Sequence, residues 1–233
     1  MLLTEIANVG PDLHRPHALK HGMQLWGTSA STEEEIAALI QKHCSAMLEA
    51  YRQIGEPLYR GISSKDLAVG AKIRADRLPV EMPSRAHRVL ADIFSELGLD
   101  ANRSNSIFCS MNRSVADTWG HPYIVFVEDG WTATVFNKVK RGYVFHEIID
   151  IAKEMSFDDE GNPQAPEQIA AKRESLKMTL QALGPRNVDT IAELEDVLIQ
   201  KYEDVLVQGS RYIGLRVDEP ATDRILELLG ISQ

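Results

Sequence analysis

The chain has 233 residues, 44% of them hydrophobic and 25% charged, which is enough apolar material for a sizeable core in one large domain or two small ones. Its net charge of -9 removes the sequence-independent phosphate attraction that bulk nucleic-acid or anionic-membrane binding requires. No apolar run approaches the ~18 residues of a membrane span, no charged n-region precedes an apolar core at the N-terminus, and Cys44 and Cys109 read as free buried thiols in a reducing cytoplasm.

Residues 1–32 show little periodicity and read as an irregular arm. His14, His17 and His21 cluster there, but Pro16 breaks any helix that would align them, and no Cys or carboxylate completes a usual metal-ligand set. The domain proper begins with a helix. Ser31 or Thr32 can cap it, and Glu35 stands three residues after Thr32, as in a capping box; Glu33, Glu34 and Glu35 suit the positive end of its dipole. Ile36, Leu39, Ile40, His43, Met47, Leu48 and Tyr51 make one apolar face, and Gly55 and Pro57 stop the helix. His43 on that face reads as a packed core histidine.

The stretch Pro57-Leu58-Tyr59-Arg60-Gly61-Ile62 is a short apolar strand that ends by presenting an arginine beside a glycine. A turn at 63–67 follows, then a basic extended piece, Lys72 to Arg77, kept extended by Pro79 and Pro83. Ser84 can cap a second helix that runs to Leu97 and ends at Gly98. A turn at 102–105 leads into a strand at 106–110, and residues 114–119 read as a short helix. A strand at 123–127 ends in Glu128-Asp129-Gly130, a hairpin signal that pairs it with a strand at 131–136. Residues 143–151 are ambiguous between strand and helix, and 156–166 form a polar, proline-flanked loop. Helices from Pro166 or Glu167 to Leu183 and from Asp189 or Thr190 onward precede an apolar strand at 205–207. Gln208-Gly209 turns this strand into another at 212–217, and a helix at 221–229 follows. Interspersed helices and strands predict an α+β fold in one domain, residues 33–233. No Gly-rich Rossmann fingerprint or P-loop is present. His146-Glu147 is discounted as an acid–base pair because adjacent strand residues face opposite ways.

Three segments in this order, Leu58-Tyr59-Arg60-Gly61, Phe108-Cys109-Ser110 at a strand end, and Tyr202-Glu203-Asp204 before Val205-Leu206-Val207, resemble the Arg–Ser–Glu class of mono-ADP-ribosyltransferases. The likeness is closest to versions encoded by bacteriophages. These share the pattern seen here as Arg77, Pro79, Met82-Pro83, His87, Phe94, Gly98 and Arg103-Ser104-Asn105-Ser106-Ile107-Phe108. The likeness covers roughly residues 33–217. It implies a split, mixed or antiparallel β core flanked by helices, NAD as substrate, and transfer of ADP-ribose to a protein or nucleic-acid acceptor in a host cytoplasm.

By the resemblance, Arg60 grips the phosphate and ribose side of NAD, Gly61 meets nicotinamide, and Ser110 orients the site. The chemistry suits these residue types. An arginine fork matches a pyrophosphate, a glycine lets backbone approach a ligand closely, and a carboxylate stabilises an oxocarbenium-like transition state. Phe108, Trp119, Tyr123 and Trp131 are the aromatics placed to stack on NAD or to pack as core.

Two departures stand out. Ser110-Met111-Asn112 keeps only the first serine of the family's Ser-Thr-Ser, and Tyr202-Glu203-Asp204 replaces its Glu-x-Glu. In strict register Asp204 takes the catalytic place; a slip of one residue gives it to Glu203, on the other sheet face. The loss of the first glutamate argues against an arginine acceptor. The alternative expectation is a catalytically degraded member of the same fold that binds a host or virion protein.

Overall fold

The computed structural model describes residues 23–77, 84–137, 148, 152, 165–202 and 204–231. His14, His17, His21, Pro79, Met82, Pro83, His146, Glu147, Glu203 and most of the 156–166 loop fall outside them. The chain is α+β, with antiparallel sheets flanked by helices. Among the described residues no helix is long and apolar enough to cross a membrane.

The end of the arm expected to be irregular instead holds a hairpin, β1 (Met23–Leu25) with β2 (Thr28–Ala30). Its two-residue turn puts Trp26 and Gly27 at φ of 57° and 83°. Such a turn normally wants Asn-Gly, so Trp26 carried no hairpin signal. Trp26 is held by its surroundings: its Nε1 donates to Tyr212 O at 2.9 Å, and Arg211 lies 4.3 Å above its ring.

The single helix expected over 33–54 is two. α1 (Glu33–His43) is capped by Thr32, whose hydroxyl accepts from Glu35 N, as expected. The chain breaks at Cys44, and α2 (Ser45–Ile54) continues to Gly55 in the left-handed conformation. Cys44 gives α2 no side-chain cap. Asp129 supplies one from a distance, accepting from Ser45 N and Oγ and from Ala46 N.

Two four-stranded sheets form the centre. The first has the order β3 (Tyr59–Ile62), β6 (His121–Val127), β10 (Arg211–Arg216), β4 (Ala68–Lys72). The second has the order β5 (Ser106–Cys109), β9 (Val205–Gln208), β7 (Thr132–Phe136), β8 (Pro185–Val188). All pairings are antiparallel. The expected hairpin of 123–127 with 131–136 does not form. At Glu128–Trp131 the chain leaves the first sheet for the second, and after Gln208-Gly209 it crosses back, so β9 and β10 are not partners either. The turn residues mark bends in the chain, but a bend does not oblige the flanking strands to pair.

α1 and α2 cover the first sheet. The Tyr51 hydroxyl donates to Val125 O at 2.8 Å, and its ring meets Phe126 edge-on at 5.4 Å. The second sheet is buried on both faces, and the period-2 alternation of its strands shows which face is which. Val205 and Val207 join the main core with Leu194, Val197 and Leu198 of α6 (Ile191–Gln200). Leu206, Phe108 and Phe136 point the other way. They pack against Leu90, Ile93 and Phe94 of α3 (Ser84–Glu96) and Leu176 and Leu180 of α5 (Pro166–Ala182). The short α4 (Arg113–Asp117) lies against β3, and α7 (Pro220–Leu228) adds Ile225 and Leu226 to the main core.

Candidate functional site

The two sheets meet at a single bridge. Tyr59 N donates to Ser110 O and Ser110 N donates to Tyr59 O, both at 2.8 Å. This joins the end of β5 to the start of β3 and pairs Ser110 with Tyr59, so these two share a face and Arg60 follows on the other. On its other side β5 pairs with β9, with Phe108 opposite Leu206 and Cys109 opposite Val205. One more step along that register brings Ser110 opposite Asp204. The strands stay adjacent beyond it, since Met111 N donates to Tyr202 O at 3.3 Å. Arg60, Ser110 and Asp204 therefore lie on three neighbouring strands, ~4.8 Å apart each.

Alternation adds a second constraint. Ser110 has the parity of Phe108, and Asp204 that of Leu206, so both belong to the face turned toward α3 and α5. Glu203 lies outside the described residues.

All three side chains are buried: Arg60 is 8% exposed, Asp204 6% and Ser110 0%. Arg60 reaches across to β5, where its Nη1 donates to Phe108 O at 3.0 Å. Its charge is felt by the neighbouring thiol. Burial pushes Cys109 up to about 12, and Arg60 pulls the other way. Ser110 Oγ accepts from Asn112 N at 3.0 Å. Asn112 in turn caps α4, its side chain accepting from Ser114 N at 3.0 Å. The serine is thus locked to the turn that launches α4.

Gly61 is explained by that same helix. A Cβ there would lie 2.2 Å from Ala116 O and 2.7 Å from Trp119 Cβ. The space that the resemblance reserves for nicotinamide is occupied by the C-terminal end of α4. Trp119 is half-buried and meets Phe108 edge-on, with centroids 4.5 Å apart. Tyr123, directly opposite Arg60 in the β3–β6 pairing, is fully buried. Its hydroxyl lies 2.6 Å from Asp66 O and 3.1 Å from Ser64 O, tying the 63–67 loop to the sheet, and burial raises it to about 12. Trp131 is 4% exposed and packs in the main core. Of the candidate aromatics, Phe108 and Trp119 gather near Arg60, whereas Tyr123 and Trp131 pack as core.

His43 is not an apolar-face residue alone. Its Nδ1 lies 3.9 Å from Glu128 and its ring meets Trp26 edge-on. Sequence reasoning missed two features of the Arg60 neighbourhood: Phe108 O as an acceptor for Arg60, and the Tyr59–Ser110 bridge. Both are backbone features, on which side-chain identity carries no signal.

No protein-family model matches this chain, and neither a curated protein nor a solved structure does.

Proposed function

We propose that the chain cleaves NAD and passes ADP-ribose to a macromolecular acceptor. One observation carries this reading: the β3–β5 bridge and the β5–β9 register gather Arg60, Ser110 and Asp204, far apart in sequence, onto three adjacent strand ends. The roles follow from the chemistry. Arg60 offers a guanidinium fork to the pyrophosphate. Asp204, in a water-poor setting, stabilises the positive charge that develops on the ribose as nicotinamide leaves. Ser110 already accepts from Asn112 N, so its own hydroxyl hydrogen is left to donate toward Asp204 and orient the carboxylate. Aspartate reaches one methylene less far than glutamate, so the sugar must approach this strand end closely.

A second reading is favoured by the packing on Gly61. With Ala116 O and Trp119 filling that side, nicotinamide reaches Gly61 only if α4 shifts. In this reading the fold binds a partner and no longer turns over NAD.

Adenylate-labelled NAD incubated with the protein and a bacterial lysate separates them. Turnover predicts free nicotinamide and a labelled acceptor, both lost in Asp204→Asn. Saturable NAD binding without nicotinamide release supports the second reading. Absence of both binding and release removes NAD from either.

A further inference from the structure

A pocket opens between the start of β3, the first residue of α4 and the end of α7. Pro57, Val217, Leu226 and Ile231 make its apolar wall, and Tyr59 and Arg113 its polar one. It encloses about 210 Å³. That holds roughly seven waters at ~30 Å³ each, and is small beside the ~300–1,000 Å³ of pockets for drug-sized ligands.

Arg113 is the one charged residue of the lining. Among the described residues it has no carboxylate partner, unlike Arg173, Arg186, Arg211, Arg216 and Arg224. The nearby acid, Glu56, is bound by Lys201 Nζ at 2.8 Å. Tyr59 is half-buried here. Burial raises its phenol and the Arg113 charge lowers it; both residues line the pocket. An unpaired guanidinium on a half-open pocket, with a phenol in the same lining, offers two donors to one anion beside the apolar side chains of Pro57, Val217, Leu226 and Ile231.

We propose that this pocket binds a small organic carboxylate with a compact apolar body, its anion on Arg113 and the Tyr59 hydroxyl and its body against Val217, Leu226 and Ile231. The site shares no residue with the Arg60, Ser110 and Asp204 group and does not rest on the NAD reading.

Benzoate is the probe, with benzyl alcohol as its neutral counterpart. Both are titrated into the full chain labelled at Leu, Val and Ile methyls, and the resonances of Val217, Leu226 and Ile231 are followed. Benzoate is expected to shift all three saturably and to bind about tenfold more tightly than benzyl alcohol, the scale of one charge-assisted contact. Arg113→Gln, at an exposed position, should bring benzoate down to the level of benzyl alcohol, and Arg113→Lys should restore part of the difference. No saturable benzoate shift at these methyls, or equal affinity for the two compounds in the unaltered protein, overturns the proposal.

Discussion

The two ends of the first sheet handle charge in opposite ways. At one end Glu128 closes β6 and Arg211 opens β10. Arg211 Nε donates to Glu128 at 2.9 Å, a second guanidinium nitrogen and the Ser210 hydroxyl bond the same carboxylate, and the guanidinium stacks on Trp26. The Arg211 and Glu128 side chains are 31% and 21% exposed. Water screens such a network, and it contributes little. At the other end Arg60, Ser110 and Asp204 are almost wholly covered. Burying ionic groups costs several kcal/mol each unless other groups offset it. Water reaches the Arg211–Glu128 pair and is kept from Arg60 and Asp204, so a change of charge should matter more at the second end.

The largest expected effect tests that contrast directly. Asp204→Asn preserves shape and removes charge, so nicotinamide release should fall about 10²- to 10³-fold, the scale of losing one transition-state electrostatic partner. Its thermal midpoint is read alongside, because removing a buried carboxylate that offsets a positive charge destabilises a fold whatever it does to turnover. A variant that loses stability but keeps turnover would make Asp204 a structural residue. Asp204→Glu, which restores the length that the resemblance expects, should retain or increase release.

Gly61→Ala comes next and strikes the wall of the same site. The added methyl meets Ala116 O and Trp119, neither of which can yield without moving α4. The expected cost is about 3 kcal/mol, at the upper end for overpacking, read from chemical denaturation. A cost under about 1 kcal/mol would mean that α4 lifts easily, which is the motion nicotinamide needs to reach Gly61.

At the exposed end, Asp129→Ala removes the borrowed cap of α2. The expected loss is about 1 kcal/mol, typical of a helix N-cap. The loss should not change NAD turnover, because Asp129 belongs to the opposite end of the sheet. Hydrogen exchange at Ser45 and Ala46 should quicken locally if the cap acts as the geometry indicates.

Asp129 also shows how far the sequence could be read. Thr32 with Glu35 marked a helix start that the structure keeps, because a capping box is complete within four residues. α3 begins at Ser84 and is followed by Gly98 in the left-handed conformation. Glu128-Asp129-Gly130 marked a reversal but not its destination, since its carboxylates are satisfied by Arg211 and by the start of α2, 83 and 84 residues away. β8 was hidden in a Pro-Arg-Asn-Val stretch that only its neighbour Ala133–Phe136 makes a strand. At the site, an arginine on an apolar strand drew notice to Arg60, and the resemblance singled out Ser110 and Asp204 as candidates. Their convergence depends on which strands pair, a non-local choice that no window of sequence encodes. Tyr123 was ambiguous for a related reason: an aromatic near a strand end looks the same whether its hydroxyl meets a ligand or, as here, Ser64 O and Asp66 O.

The smallest effect sharpens the comparison by pH. The hydrogen bond from Arg211 holds the Glu128 carboxyl below its ordinary value of 4.5, with Ser210 and the Arg211 and His43 charges adding to it. A carboxyl depressed in the folded state contributes stability that is fully present above its unfolded value and lost as pH falls through the folded one. Arg211→Gln should therefore flatten the acid limb of the stability curve below about pH 4.5 by less than ~1 kcal/mol, as befits a half-exposed pair. The variant also loses the stack on Trp26, which lowers stability at every pH, so the slope and not the offset is the readout. His43→Gln, which leaves Arg211 in place, should keep most of that slope. If instead His43→Gln flattens it as much as Arg211→Gln does, the charge at this end is held by the helix terminus rather than by the strand pair.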